Sequence, residues 1–97
     1  MTNRFEMAIA NNIDIKDMTL ISYLSLISEE NKLGDVFEWS YEKIIYDLPI
    51  IFNSKSYDAN SVKLRRMLDK EGMKKFITRD IKRKGREYGT VVIFKLN

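Results

Sequence analysis

The chain has 97 residues, of which 44% are hydrophobic and 32% charged, and its formal net charge is +3. This composition fits one globular domain with a single core rather than a disordered segment. Cysteine and histidine are both absent, which excludes a disulfide framework, thiolate or imidazole metal sites, and the commonest general base.

Residues 1–16 are ambiguous. Phe5, Ala8 and Ile9 have helical spacing, while Ile13 and Ile15 alternate like a strand, so this stretch reads as a short helix or an N-terminal arm. It carries no signal-peptide pattern. The most apolar stretch, 18–27, is too short to span a bilayer and is interrupted by Thr19, Ser22 and Ser25. No membrane partner is expected, and the expected location is cytoplasmic. Asp17 is a candidate N-cap for a helix over 18–31, with Leu20, Ile21, Tyr23, Leu24 and Ile27 as its apolar face and Gly34 as its C′ residue.

Val36, Phe37, Glu38 and Trp39 form a short β-prone run. Ser40 then caps a second helix, with Glu42 in its first turn and Tyr41, Ile44, Ile45 and Leu48 on one face. Pro49 ends that helix near Leu48. Residues 50–52 are apolar and expected to be buried, and 53–57 are a polar connector. Asp58 is read as the N-cap of a third helix over 59–71, with Leu64, Met67 and Leu68 as its core stripe and Gly72 as its stop. The period then changes to two. Phe76, Thr78 and Asp80 alternate with Ile77, Arg79 and Ile81, residues 82–86 form a basic turn around Gly85, and 90–96 is the strongest strand.

The charge is divided along this order. Residues 1–62 hold 5 Lys/Arg and 10 Asp/Glu, a net of −5, and residues 63–97 hold 12 and 4, a net of +8. A basic block that begins on a helix and continues through a hairpin has the pattern of a nucleic-acid surface. The bland alternative is a solvated cationic face.

The order helix, short strand, helix, helix, strand, basic tip, strand resembles the winged helix-turn-helix family. The resemblance covers about 17–96 and is carried by Gly34 to Ser40 leading into the second helix, by Asn60, Ser61, Val62, Leu64, Leu68 and Gly72, and by the hairpin to Leu96. It implies an α+β fold in one domain over 1–97: a three-helix core over 17–97, a small antiparallel sheet, and a C-terminal β-hairpin wing. The 49–58 connector is longer than the tight turn of that family.

The resemblance also implies a double-stranded DNA-binding protein, with the third helix in the major groove and the wing on the backbone. With Leu64, Met67 and Leu68 in the core, the opposite face is read as Asn60, Lys63, Arg66 and Lys70, flanked by Ser61 and Arg65. Arg and Asn can pair with guanine and adenine, and Lys and Ser can hold phosphates. Lys82, Arg83, Lys84 and Arg86 crowd the wing, where a phosphate backbone would relieve their mutual repulsion. Lys74, Lys75 and Arg79 extend the basic surface. The aromatics Tyr23, Phe37, Trp39, Tyr41, Phe76 and Phe94 are expected in the core, with Tyr57 and Tyr88 in or near loops.

No phosphate-binding glycine loop, nucleophile elbow or metal-carboxylate pair is present in the sequence. No enzyme activity, catalytic residue, metal or cofactor is therefore expected. The expected role is a transcriptional regulator or replication-initiation accessory of a phage, plasmid or other mobile element, a source suggested by richness in Ile, Lys and Asn. Two other readings stand beside it. One is a winged helix protein-interaction module, such as a phage-encoded inhibitor of a host nucleic-acid enzyme. The other is RNA or single-strand binding through the same hairpin. The acidic half is expected to face away from DNA, available for homodimer formation or for a host protein.

Overall fold

In a computed structural model, which describes residues 14–85 and 89–97, helix α1 spans Ile15–Glu30. The first thirteen residues, which include most of the ambiguous arm, lie outside the described residues. Asp14, not Asp17, is the N-cap: its carboxylate accepts the Asp17 N–H at 2.9 Å. Asp17 is instead one of the most buried residues of the chain, at 1% exposure. The other end of α1 also differs from the sequence expectation. Lys32, at φ 52°, is the left-handed residue after Asn31, and the N–H groups of Lys32 and Leu33 close onto the carbonyls of Glu29 and Ser28. This is a Schellman closure with lysine where glycine is usual. Gly34, at φ 77°, makes the following turn, and its carbonyl accepts the Ser28 hydroxyl.

Strand β1 (Val36–Ser40) leads directly into helix α2 (Tyr41–Asp47), and the Ser40 hydroxyl accepts the Lys43 N–H as expected of a cap. Helix α2 stops before Leu48, where Pro49 forbids continuation. Of the apolar run that follows, Ile51 and Phe52 are buried, but Ile50 is 81% exposed. Helix α3 spans Tyr57–Asp69, and its N-cap is Ser56, whose hydroxyl accepts the Ala59 N–H; Asp58 lies inside the first turn. The chain breaks at Lys70, and a single turn, α4 (Glu71–Lys74), takes in Gly72. Gly72 is therefore not the stop. Strand β2 (Ile77–Gly85) and strand β3 (Gly89–Leu96) complete the described elements.

The three strands form one antiparallel sheet in the order β1-β3-β2. Phe37 and Trp39 of β1 lie opposite Phe94 and Val92, while Ile77 and Ile81 of β2 lie opposite Leu96 and Val92. Alternation thus collects Phe37, Phe94, Val92 and Ile77 on one face. The helices cover that face with Leu20, Ile21 and Leu24 from α1, Tyr41 and Ile44 from α2, and Leu64, Met67 and Leu68 from α3. The Phe37 and Phe94 rings meet at 6.1 Å. One residue of β2 is extra: Ile81 pairs with Val92 but Arg83 with Val91, so a bulge falls at Lys82 and reverses the alternation beyond it. The fold of the described residues is α+β, four helices with a small antiparallel sheet, an arrangement compatible with a winged helix.

A polar chain ties α1, β1 and α2 together. The Trp39 indole N–H donates to the Tyr23 hydroxyl at 2.9 Å, and that hydroxyl donates to Asp47 at 2.7 Å. Lys43 closes the chain on the other Asp47 oxygen at 3.0 Å. Burial and the Asp47 bond push the Tyr23 hydroxyl well above the ordinary tyrosine range. Burial disfavours charge on Asp47, but the hydrogen bonds from Tyr23 and Lys43 outweigh it and hold the carboxyl below its usual value.

Candidate nucleic-acid interface

Helix α3 carries its buried stripe on Asn60, Ser61, Leu64, Met67 and Leu68. Asn60 and Ser61, expected as exposed base readers, are therefore inside, at 6% and 9% exposure. The reason is spacing: Asn60 stands four residues and Ser61 three residues before Leu64, so both fall on the apolar face. Asn60 has a structural task. Its amide oxygen accepts the Ser54 N–H at 3.1 Å and its amide nitrogen donates to the Ser54 carbonyl at 3.0 Å. It fixes the long connector between α2 and α3.

Two of the expected cations are also engaged within the fold. Lys63 is half-buried and donates from Nζ to the Ile51 carbonyl at 2.6 Å, another tie on the connector. Lys70 donates to Asp17 at 2.8 Å and lies 3.7 Å from Asp14. The Asp17 hydrogen bond raises the Lys70 ammonium above its usual value. The backbone bond from Asp17 is the largest effect on the Asp14 carboxyl; burial opposes it, but with the charge of Lys70 added the carboxyl is held below its usual value. The acidic and basic halves of the sequence thus meet here. Arg79 is likewise held, giving Nη2 to Asp69 at 3.1 Å beneath the hairpin and lying 6.0 Å from the Tyr41 ring centre.

Arg65 and Arg66 are exposed, as expected, and neither takes part in an ion pair with the described residues. The outward face of α3 is completed by exposed Asp58, Ala59 and Asp69 and by half-buried Val62, none of which the sequence reading placed on that face. Carrying the four-residue step back from Leu64 to Asn60 is the signal that would have found them, because it turns the outward face toward Val62. Ala59, Val62 and Arg66 form one wall of a groove of about 440 Å³ whose other wall includes Asp14 and Lys16 of α1.

Two contacts connect the hairpin to α3. At its outer end the Thr90 backbone lies close enough to the Tyr57 hydroxyl to influence its charge, and Thr90 pairs with Lys84 across the hairpin. Tyr57 begins α3 rather than sitting in a loop. Burial, then the charge of Glu42, raises the Tyr57 hydroxyl above its usual value. At the inner end Asp69 meets Arg79. Lys82, Arg83 and Lys84 lie within β2 rather than in a turn, with the bulge at Lys82. The strand runs on to Gly85 because Gly85 pairs with Gly89. Arg86 and Tyr88 lie outside the described residues.

No protein-family model matches the sequence, and comparison with curated proteins and with solved structures finds no similar chain. No helix among the described residues is long and apolar enough to cross a membrane.

Proposed function

We propose that the chain is a winged helix protein that binds double-stranded DNA, without enzymatic activity of its own, and that it serves a regulatory or replication-accessory role. The observation that supports this most is the outer surface of α3. Two exposed arginines, Arg65 and Arg66, have no acidic partner among the described residues, and the Asp69–Arg79 pair joins the helix to a strand whose sequence contains Lys82, Arg83 and Lys84. Exposed arginines without an acidic partner are suited to phosphates, where binding releases counterions. Arg66 and Arg65 would contact the duplex from α3, and the hairpin would follow the adjacent backbone. Asn60, Ser61 and Lys63 would support this surface from within, and Lys70, half-exposed but held by Asp17, would not touch DNA.

Titration with random duplex DNA at several salt concentrations tests the reading. Affinity should fall steeply with salt, and Arg66→Ala should lower the slope by about 0.9, the loss of one phosphate contact. Absence of binding at low salt refutes it.

A protein-interaction module is the second reading, and a separate observation favours it. Tyr46 and Ile50 are 80% and 81% exposed on the acidic side of the chain, next to exposed Pro49. A pull-down that a Tyr46→Ser, Ile50→Ser double variant abolishes, with duplex binding absent, supports it.

A further inference from the structure

The outward face of α3 includes two small apolar side chains, Ala59 and Val62. Opposite the buried stripe stand Val62 and Arg66, with Ala59 one turn before Val62. Val62 is half-buried, yet it belongs neither to the hydrophobic core nor to the partly buried layer packed against it. Its methyl groups are therefore not part of the core, and a β-branched residue slightly lowers helix propensity. Arg65 flanks this apolar strip on the side of Tyr41 and Tyr57, and Arg66 and the Lys63 stem flank it on the groove side, with exposed Asp69 at its C-terminal end. Exposed Asp58 stands at its N-terminal end.

A small apolar strip framed by positive charge matches one kind of surface well. In the major groove the thymine 5-methyl is the apolar feature, and phosphates line both rims. An apolar partner protein would satisfy Val62 but leave the flanking arginines unpaired. We infer that Val62, with Ala59 beside it, is a specificity-determining position that closes on a thymine 5-methyl group, while Arg66 holds the adjacent phosphate or guanine. The neighbouring Asp58 carboxylate would accept from a cytosine or adenine amino group. This inference rests on the duplex-binding reading above and adds a base preference to it.

The test uses the whole chain. Tight-binding duplexes are selected from a random library at moderate salt. Each thymine of the best duplex is then replaced in turn by deoxyuracil, which removes the 5-methyl and nothing else. One or two replacements should weaken the wild-type protein about fourfold, the factor for one methyl group withdrawn from apolar contact. The same replacements should change binding of Val62→Ala by less than about 1.5-fold, since the partner methyls are gone. Val62 lies outside the core, so this variant keeps the fold. If no replacement weakens the wild type, or if the loss persists in Val62→Ala, the thymine assignment is overturned while duplex binding stands. If no duplex is selected at all, both fall.

Discussion

Removing the Lys70 ammonium is the sharpest test of how the two halves of the chain are joined. Asp17 is 1% exposed, and Lys70 Nζ at 2.8 Å is its one charged partner among the described residues; its other oxygen, Oδ1, has no hydrogen-bond partner. Lys70→Met keeps the aliphatic stem but leaves both Asp17 oxygens without a charge partner. Deleting one member of a fully buried pair costs about 3–5 kcal/mol, and a charged hydrogen bond contributes about 1.5–3 kcal/mol. The Lys70 side chain is 48% exposed, so water moderates the loss. The expected cost is about 2 kcal/mol, near the lower ends of those ranges. For a domain of this size that lowers Tm by roughly 8–16 °C. Circular-dichroism melts and urea titrations measure it, with the urea slope unchanged if only the native state is affected. Replacing the buried carboxylate as well, in Asp17→Asn with Lys70→Met, should recover about half of the loss. The salt dependence of duplex binding should be unaltered in Lys70→Met, because Lys70 is occupied within the fold. A cost below about 0.5 kcal/mol, typical of a surface pair, refutes the reasoning, since it means that water reaches Asp17 without the lysine.

Three further outcomes follow from the same contacts. Ser56→Ala should destabilise by about 1 kcal/mol as the lost cap of α3, and Asp58→Ala by less; the reverse ranking in urea melts contradicts the assignment of Ser56. Asn60→Ala removes both bonds to Ser54 and should cost about 2 kcal/mol, with the salt slope of duplex binding intact; a changed slope at full stability returns Asn60 to the interface. Asp14 and Asp47 sit below their usual value of 3.8 in the folded chain, so their contribution is complete above that value and is lost as pH falls through it toward the folded pKa. Lys70 and Tyr23 are raised above 10.5 and 10.0, so theirs is complete below those values and lost as pH rises through the folded ones. The urea midpoint should therefore be flat from about pH 5 to 9 and decline on both sides, less steeply on the acid side once Asp14 is replaced by Asn.

Local sequence was sufficient for the three longer helices, the three strands and most of the core, but not for the single turn α4, which Gly72 was expected to prevent. Ser40 and Pro49 bound α2 through their own backbone chemistry, and the alternation of residues 90–96 needs no tertiary context to read as a strand. The apolar spacing of Leu20, Ile21 and Leu24, and of Leu64, Met67 and Leu68, marked the faces that the sheet covers. Cap positions were less legible. Asp14 competes with Asp17, and Ser56 with Asp58, and each pair differs only in which oxygen reaches a free N–H.

The charge division at residue 63 was plain in the sequence, but its meaning was not. Counting charges cannot tell which cations the fold consumes. Lys70 goes to Asp17, fifty-three residues away, Lys63 to the Ile51 carbonyl, and Arg79 to Asp69. Those partners are set by how α1, the connector and the hairpin pack around α3, and packing is long-range. Sequence alone thus determined that the C-terminal third is strongly basic and begins on an amphipathic helix. Only the tertiary structure decided that Arg65 and Arg66 have no ion-pair partner among the described residues while Lys63 and Lys70 on the same helix are held. It also turned the outward face to Val62, because burying Leu64 necessarily buries Asn60 one turn before it.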